Sequence, residues 1–273
     1  MVHKNIHSPR HLVEAHRAHS ESVQTVLIVA VILVVVWFLW KLAPLSRWRI
    51  AKCIEHSKRR FTAKEYDQAL ADALEAKRLA RVKLGASSET FERAMMHLAA
   101  THAAMLQNRE ALAVLDECAQ LACKLHGDGT LELVPVCHAR AEVYESNGSF
   151  DSAIQALEAA KELRGAHLGE NCISYGFSCV NLAGLLIRYA SSVDMTPGRM
   201  GELVERAAEQ AMEAKAAALG AGSVVQAVKF IDEVLELITN ASNLAELTEC
   251  RGAIGTLEEA AHGLQQQFEA GAY

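Results

Sequence analysis

The sequence predicts an all-α protein, a single N-terminal transmembrane helix followed by a solenoid of stacked helical pairs. Three observations carry that expectation. Aromatic residues are 5% of the 273 and prolines number 4, while Ala, Leu and Glu abound, a composition that favours helices over sheets. Fifteen apolar residues run without interruption from Val26 to Trp40. Beyond residue 50, small and apolar residues return every 42 positions, as stacked repeats require.

Residues 1–22 form a polar arm containing His3, His7, His11, His16 and His19. The first three share a face only if a helix forms around Pro9, so the arm reads as a tail rather than a metal site. Residues 23–43 are the expected span: at about 1.5 Å per residue they reach roughly 31 Å, the thickness of a bilayer core. No A-x-A-like site follows Trp40, which favours an uncleaved anchor over a signal peptide. Trp37, Trp40 and Trp48 suit a membrane interface, and Lys41, Arg47 and Arg49 extend the same belt outward.

Charge sets the orientation. Three basic residues precede the span (Lys4, Arg10, Arg17), and seven follow it by position 60 (Lys41, Arg47, Arg49, Lys52, Lys58, Arg59, Arg60). This places the C-terminal side in cytosol or an organellar matrix, with a mitochondrial membrane favoured. Residues 44–60 are thus a basic junction running into the first repeat helix. The net charge of -6 hides a division: residues 1–22 carry +1 (3 minus 2), residues 41–60 carry +6 (7 minus 1), and residues 61–273 carry -13. An acidic domain on a basic collar argues for anionic headgroups at the junction and against nucleic acid as a partner. Seven cysteines, an odd number without paired C-x2-C spacing, suit a reducing compartment and no zinc site.

The repeat domain is expected over residues 50–268, about four units and a degenerate C-terminal cap. Its second-helix columns are Ala69, Ala111, Ala153; Ala73, Leu115, Leu157; Ala76, Cys118, Ala160; and Leu79, Leu121, Leu163, with Gly85, Gly127 and Gly169 closing each unit. First-helix columns are Cys53, Met95, Cys137, Cys179 and Ser57, Ala99, Ala141, Ala183. Small residues four positions after medium-sized apolar ones describe a closely packed helix face. A fourth unit begins near Gly176, and its interhelical segment, Ser191 to Gly201, is expanded. The next closing glycine is expected at Gly220, an insertion of about nine, and Val224 to Thr239 with Leu244 to Phe268 make the last pair.

The order Ala141-x-x-Tyr144-x-x-x-Gly148-x-Phe150-x-x-Ala153, then Leu157 and Ala160, resembles the tetratricopeptide repeat. The 42-residue period, Leu168-Gly169-Glu170-Asn171 and Asn181-Leu182-Ala183 are similar to the kinesin light chain subtype. The likeness covers residues 50–175 well and 176–268 loosely, and it departs at Arg140, where Leu98 and Leu182 occupy a core column. It implies a right-handed, non-catalytic solenoid that binds segments of other proteins along its first helices. It also implies the groove residues: Ile54 and Lys58; Arg93, Met96 and Ala100; His138, Glu142 and Glu145; Val180, Gly184, Ile187 and Arg188. The carboxylate clamp of chaperone-binding members maps onto Ile54, Lys58 and His97, where only Lys58 has the required type.

Other motifs yield to the repeat. The sequon Asn147-Gly148-Ser149 is expected to be an interhelical turn, and Cys53, a lipidation candidate by its place near the span, falls in a packing column. Cys137 and His138, adjacent on a helix, point about 100° apart and form no nucleophile–base pair. Gly-rich phosphate loops and metalloprotease or hydrolase signatures are missing from the sequence, so no cofactor, catalytic residue or metal ligand is assigned. The expectation is a membrane-anchored scaffold that holds partner proteins; the alternative is a structural accessory subunit of a membrane complex, such as a respiratory or ATP synthase assembly.

Overall fold

A computed structural model describes residues 29, 31–34, 37, 47–85, 88–192, 195–241, 244 and 247–269, all within helices or the links between them. The expected span at 23–43 lies mostly outside the described residues. Those of its residues that are described (Val29, Val31 to Val34 and Trp37) are helical. Among the described residues no helix is long and apolar enough to cross a membrane.

The repeat region is a run of helical pairs. Helix α1 is described over 47–62 and pairs with α2 (Tyr66–Leu84). Then come α3 (Glu89–Ala104) with α4 (Asn108–His126), α5 (Leu133–Ser146) with α6 (Phe150–Leu168), and α7 (Ile173–Ala190) with α8 (Pro197–Gly220). Helix α9 (Val224–Asn240), a 3-10 turn (Thr248–Cys250) and α10 (Arg251–Glu269) close the chain. Each helix from α2 to α9 packs on its successor, and α9 also touches α7.

The expected columns are the core. Ala69, Ala111 and Ala153 are fully buried, as are Ala76, Cys118 and Ala160. A larger side chain there would push the paired helices apart. Met95, Ala99, Cys179 and Ala183 bury the first-helix face, and Ser57, buried in the same column, donates its hydroxyl to the Ala69 carbonyl at 2.7 Å. Arg140 departs from its apolar column by reaching Asp116 on α4 at 2.5 Å. The buried side chains fall into two clusters, one spanning α1 to α5 and the other α5 onward. Helix α5 belongs to both, through Val136 and Val143 on one side and Ala141 on the other.

Two kinds of turn alternate. Gly85, Gly127 and Gly169 cap the second helices with φ of 88°, 92° and 79°, a region that other residues rarely adopt. Within each unit the first helix ends on a left-handed residue: Lys64 (φ 62°), Leu106 (φ 57°) and Gly148 (φ 71°), again 42 apart. Around each, the next amide bonds back five residues, Glu65 to Arg60, Gln107 to His102 and Ser149 to Tyr144, the double closure of a Schellman end. The turn reading of Asn147-Gly148-Ser149 therefore holds.

The fourth unit corrects the expected register. Gly220 is the last residue of α8, held free of a side chain by Asn171, whose Oδ1 lies 2.6 Å from where a Cβ would stand. The left-handed glycine is Gly222 (φ 75°), and Ser223 bonds back to Ala218. The α8–α9 link is thus the tight turn used inside units rather than the extended link used between them. Thr196 caps α8 by accepting from the Arg199 amide, with Pro197 at the first helical position, where its missing N–H costs no bond. The last helix begins at Arg251, after the 3-10 turn, and not at Leu244.

Candidate functional site

The first helices of successive units are joined side to side, which makes them one wall. Arg188 on α7 grips Glu145 on α5 with both arms, Nε to Oε1 at 2.5 Å and Nη2 to Oε2 at 3.1 Å. His97 on α3 lies 2.7 Å by its Nε2 from the Ser57 hydroxyl on α1. Because Ser57 donates to Ala69, the histidine Nε2–H is the donor of that bond. Desolvation, then Lys58, holds the His97 imidazole below its usual pKa.

The expected wall residues divide. Lys58, Arg93, Ala100, Glu142 and Arg188 are exposed, Met96 and Glu145 half-buried. Glu142 is held above the usual carboxylate range by desolvation and then by the Glu145 charge. Ile54, Val180 and Ile187 are corrected: all three are buried in the core. Their side chains pack into the helix stack, and on α7 that stack includes α9. A Cβ on Gly176 would meet Phe230 Cε2 at 2.5 Å, and one on Gly184 would meet Leu237 Cδ1 at 3.5 Å. Gly184 is therefore a packing residue of the α7–α9 contact. Besides Arg188, α7 exposes Phe177 on the wall, 45% exposed with its ring edge-on to Phe230. The column Arg93, Pro135, Phe177 held that signal.

His138 on α5 has its Nε2 enclosed and without a partner. Near it is a residue the wall pattern missed, Arg164 on α6, whose Nη1 donates to Ser178 Oγ on α7 at 2.5 Å. Burial, and then the Arg164 charge, push the His138 pKa down; burial also pushes Arg164 down.

At the other end of the chain, Arg47, Trp48 and Arg49 are exposed on α1, with Lys52 Nζ 5.1 Å from the Trp48 ring centroid. Trp37 is exposed and helical, whereas Trp40 and Lys41 lie outside the described residues.

This arrangement is that of a tetratricopeptide-like helical-repeat protein, and solved structures agree. The chain is similar to a crystal structure described as Podosopora anserina putative kinesin light chain nearly identical TPR-like repeats: TM-score 0.56, 17% identity, covering 81% of this chain and 96% of that one. A single-substitution form of that protein aligns at TM-score 0.56 and 15% identity over 80% of this chain and 97% of its own. At this identity the likeness defines the fold. No protein-family model and no curated protein matches the chain.

Proposed function

We propose that this protein is a non-catalytic scaffold that holds segments of partner proteins along the wall of first helices, tethered to a membrane by residues 23–43. The observation that carries the reading is the continuity of that wall, joined from unit to unit by His97–Ser57 and Arg188–Glu145. Its exposed side chains change along the array from Lys58 and Arg93 to Glu142 and then to Phe177, so a partner is selected by sequence rather than by bulk charge.

The tether is supported by Val29, Val31, Ile32, Leu33 and Val34, helical apolar residues that are each more than half exposed among the described residues. Such a surface is at home in lipid. The basic face of α1 that follows it in the chain suits anionic headgroups on the cytosolic or matrix side, with a mitochondrial membrane favoured by the charge asymmetry.

Two experiments test the two halves. Alkaline extraction should leave the full chain in the membrane pellet and release a chain lacking residues 23–43; release of both removes the tether. Affinity capture from mild detergent, with the double variant Lys58→Glu and Arg93→Glu as comparison, should lose at least one exchangeable partner while circular dichroism stays unchanged. Exposed substitutions cost under about 0.5 kcal/mol, so folding is preserved. Retention of every partner in fixed stoichiometry transfers the protein to the accessory-subunit class.

A further inference from the structure

The pairing of α1 with α2 gathers basic side chains that lie far apart in the sequence. The tight turn at Lys64 runs the two helices back against each other, so the start of the described part of α1 lies beside the end of α2. Arg47, Arg49 and Lys52 stand on the first helix, Arg78, Arg81 and Lys83 on the second, and all six are exposed. Glu75 marks the meeting point: its carboxyl is held below the usual carboxylate range, first by the bonds from Arg78 and also by the Arg49 charge from α1. Among the described residues, Arg47, Arg49, Arg81 and Lys83 make no ion pair. Trp48 and Val82, each flanked in the chain by two of these cations, are 59% and 66% exposed, and Lys52 lies over the Trp48 ring.

Two ordinary explanations cover only part of this cluster. Cations suit the C-terminal turn of a helix, which accounts for Arg81 and Lys83 but not for the three on α1. The end of a repeat array also needs a polar cover for solubility, yet such a cover has no need of a single sign. Nor does the cluster come from the repeat pattern: 42 residues on, the same six positions hold Glu89, Phe91, Ala94, Gln120, Cys123 and Leu125. The first unit alone is basic here, in a chain whose residues 61–273 carry -13. It is also the unit that follows the exposed apolar residues Val29 and Val31 to Val34 in the chain.

We propose that this end of the α1–α2 pair is a docking surface for anionic phospholipid headgroups, so that the first repeat unit itself rests on the membrane. The surface deepens the tether proposed above and rests on it: residues 23–43 bring the pair to the bilayer, and α2 supplies half of the cations that meet it. Clusters of about four to eight Lys and Arg beside a span select anionic lipid. Trp48 and Val82 enter the headgroup region beside them, as amphipathic and apolar side chains do. Glu89 and Glu132 are exposed at the starts of α3 and α5, where the same headgroups repel them. The contact therefore ends with the first unit and leaves the later wall clear for a partner.

The test uses the full chain in nanodiscs, with Trp37, Trp40 and Trp48 replaced by Phe and a single indole introduced by Val82→Trp. The lipid is phosphatidylcholine brominated near the headgroup, with or without phosphatidylserine. With phosphatidylserine the indole at position 82 should emit further to the blue and be quenched about twofold more, and added salt should erase the difference. An indole introduced instead by Thr62→Trp, at the far end of α1, should stay in water in both lipids. Arg81→Glu with Lys83→Glu should return the response to the phosphatidylcholine level with circular dichroism unchanged, since both side chains are exposed; contact through α1 alone predicts no effect. If the introduced indole disturbs folding, Trp48 in a Trp37→Phe, Trp40→Phe chain reports on the same charge reversal. Equal quenching in both lipids, or a response untouched by the α2 reversal, overturns the surface. A silent indole together with a soluble acidic protein that only the reversed chain fails to capture assigns the surface to that protein and overturns the lipid reading. Alkaline extraction is read separately: a retained chain with a silent indole keeps the tether and loses only this surface. A released chain whose indole answers phosphatidylserine vesicles loses the tether and keeps the surface.

Discussion

The left-handed residues at Lys64, Leu106 and Gly148 allow the backbone argument to be tested almost free of packing. All three end a first helix in the same conformation, with φ of 62°, 57° and 71°. A Cβ added at Gly148 would meet no atom within 4 Å, so Gly148→Ala changes only the backbone preference. Holding an L-residue in this region costs about 1–2 kcal/mol, and removing glycine's freedom from the unfolded chain returns about 0.4–1 kcal/mol. The expected net loss is about 0.5–1 kcal/mol. Lys64→Gly runs the same arithmetic backwards, because Lys64 is exposed and its side chain gives up little burial. It should gain about 0.5–1 kcal/mol, a rise of roughly 1–4 °C in melting temperature for a domain of this size. Leu106→Gly gains less, since a quarter of that side chain is covered. Thermal melts of the full chain by circular dichroism, each variant against wild type, should show opposite signs at positions 64 and 148. Shifts of the same sign, or none at either, would refute the claim that the three turns are equivalent.

Two further outcomes can be checked on the same preparation. Gly176→Ala should destabilise by about 1–3 kcal/mol through overpacking, because its Cβ would lie 2.5 Å from Phe230 Cε2, and adding Phe230→Leu should recover part of the loss; an unchanged melt would show that α9 does not press on α7. Stability should also fall on mild acidification. His97 and His138 are held below the ordinary histidine pKa by burial, so their share is complete above the unfolded value of about 6.5 and is lost as pH drops through it toward the folded values. Glu92 and Glu142, raised by burial, act with the opposite sign, their stabilisation being lost as pH rises through their folded values. Melts between pH 7.5 and 5.5 should therefore flatten in a His97→Gln, His138→Gln pair; an unaltered slope removes the histidines from the account.

What the sequence disclosed followed from residue types that have few alternatives. Gly85, Gly127 and Gly169 marked their links because a left-handed cap favours glycine, and Ala69, Ala111 and Ala153 marked the tightest helix contact because only a small side chain fits. Lys64 and Leu106 were silent: their conformation is imposed by helix pairing, and neither residue type announces it. Gly220 was mistaken for the cap of α8 since two glycines stand close together and only the backbone distinguishes a helical one from Gly222. Ile54, Val180 and Ile187 stand on the wall in the family's groove pattern, whereas here all three side chains turn into the core, and on α7 the packing of α9 helps to cover that face, with Phe230 resting on Gly176. Arg164 stands in a column of alanines, Ala80 and Ala122, and a break in one column of a repeat does not by itself say what the new side chain touches.

Helix α5 contributes to both buried clusters, and this has a mechanical consequence. In a linear array each unit leans only on its neighbours, so within the apolar core a pull applied between the two ends of the chain is carried through α5. Val136 and Val143 hold it to the block that precedes it, and Ala141 to the block that follows. The array should give way in two separate extensions rather than one, and whichever block keeps α5 keeps its shape longer. A load reaching this protein from a membrane on one side and a bound partner on the other would meet a built-in fuse at the middle of the repeat.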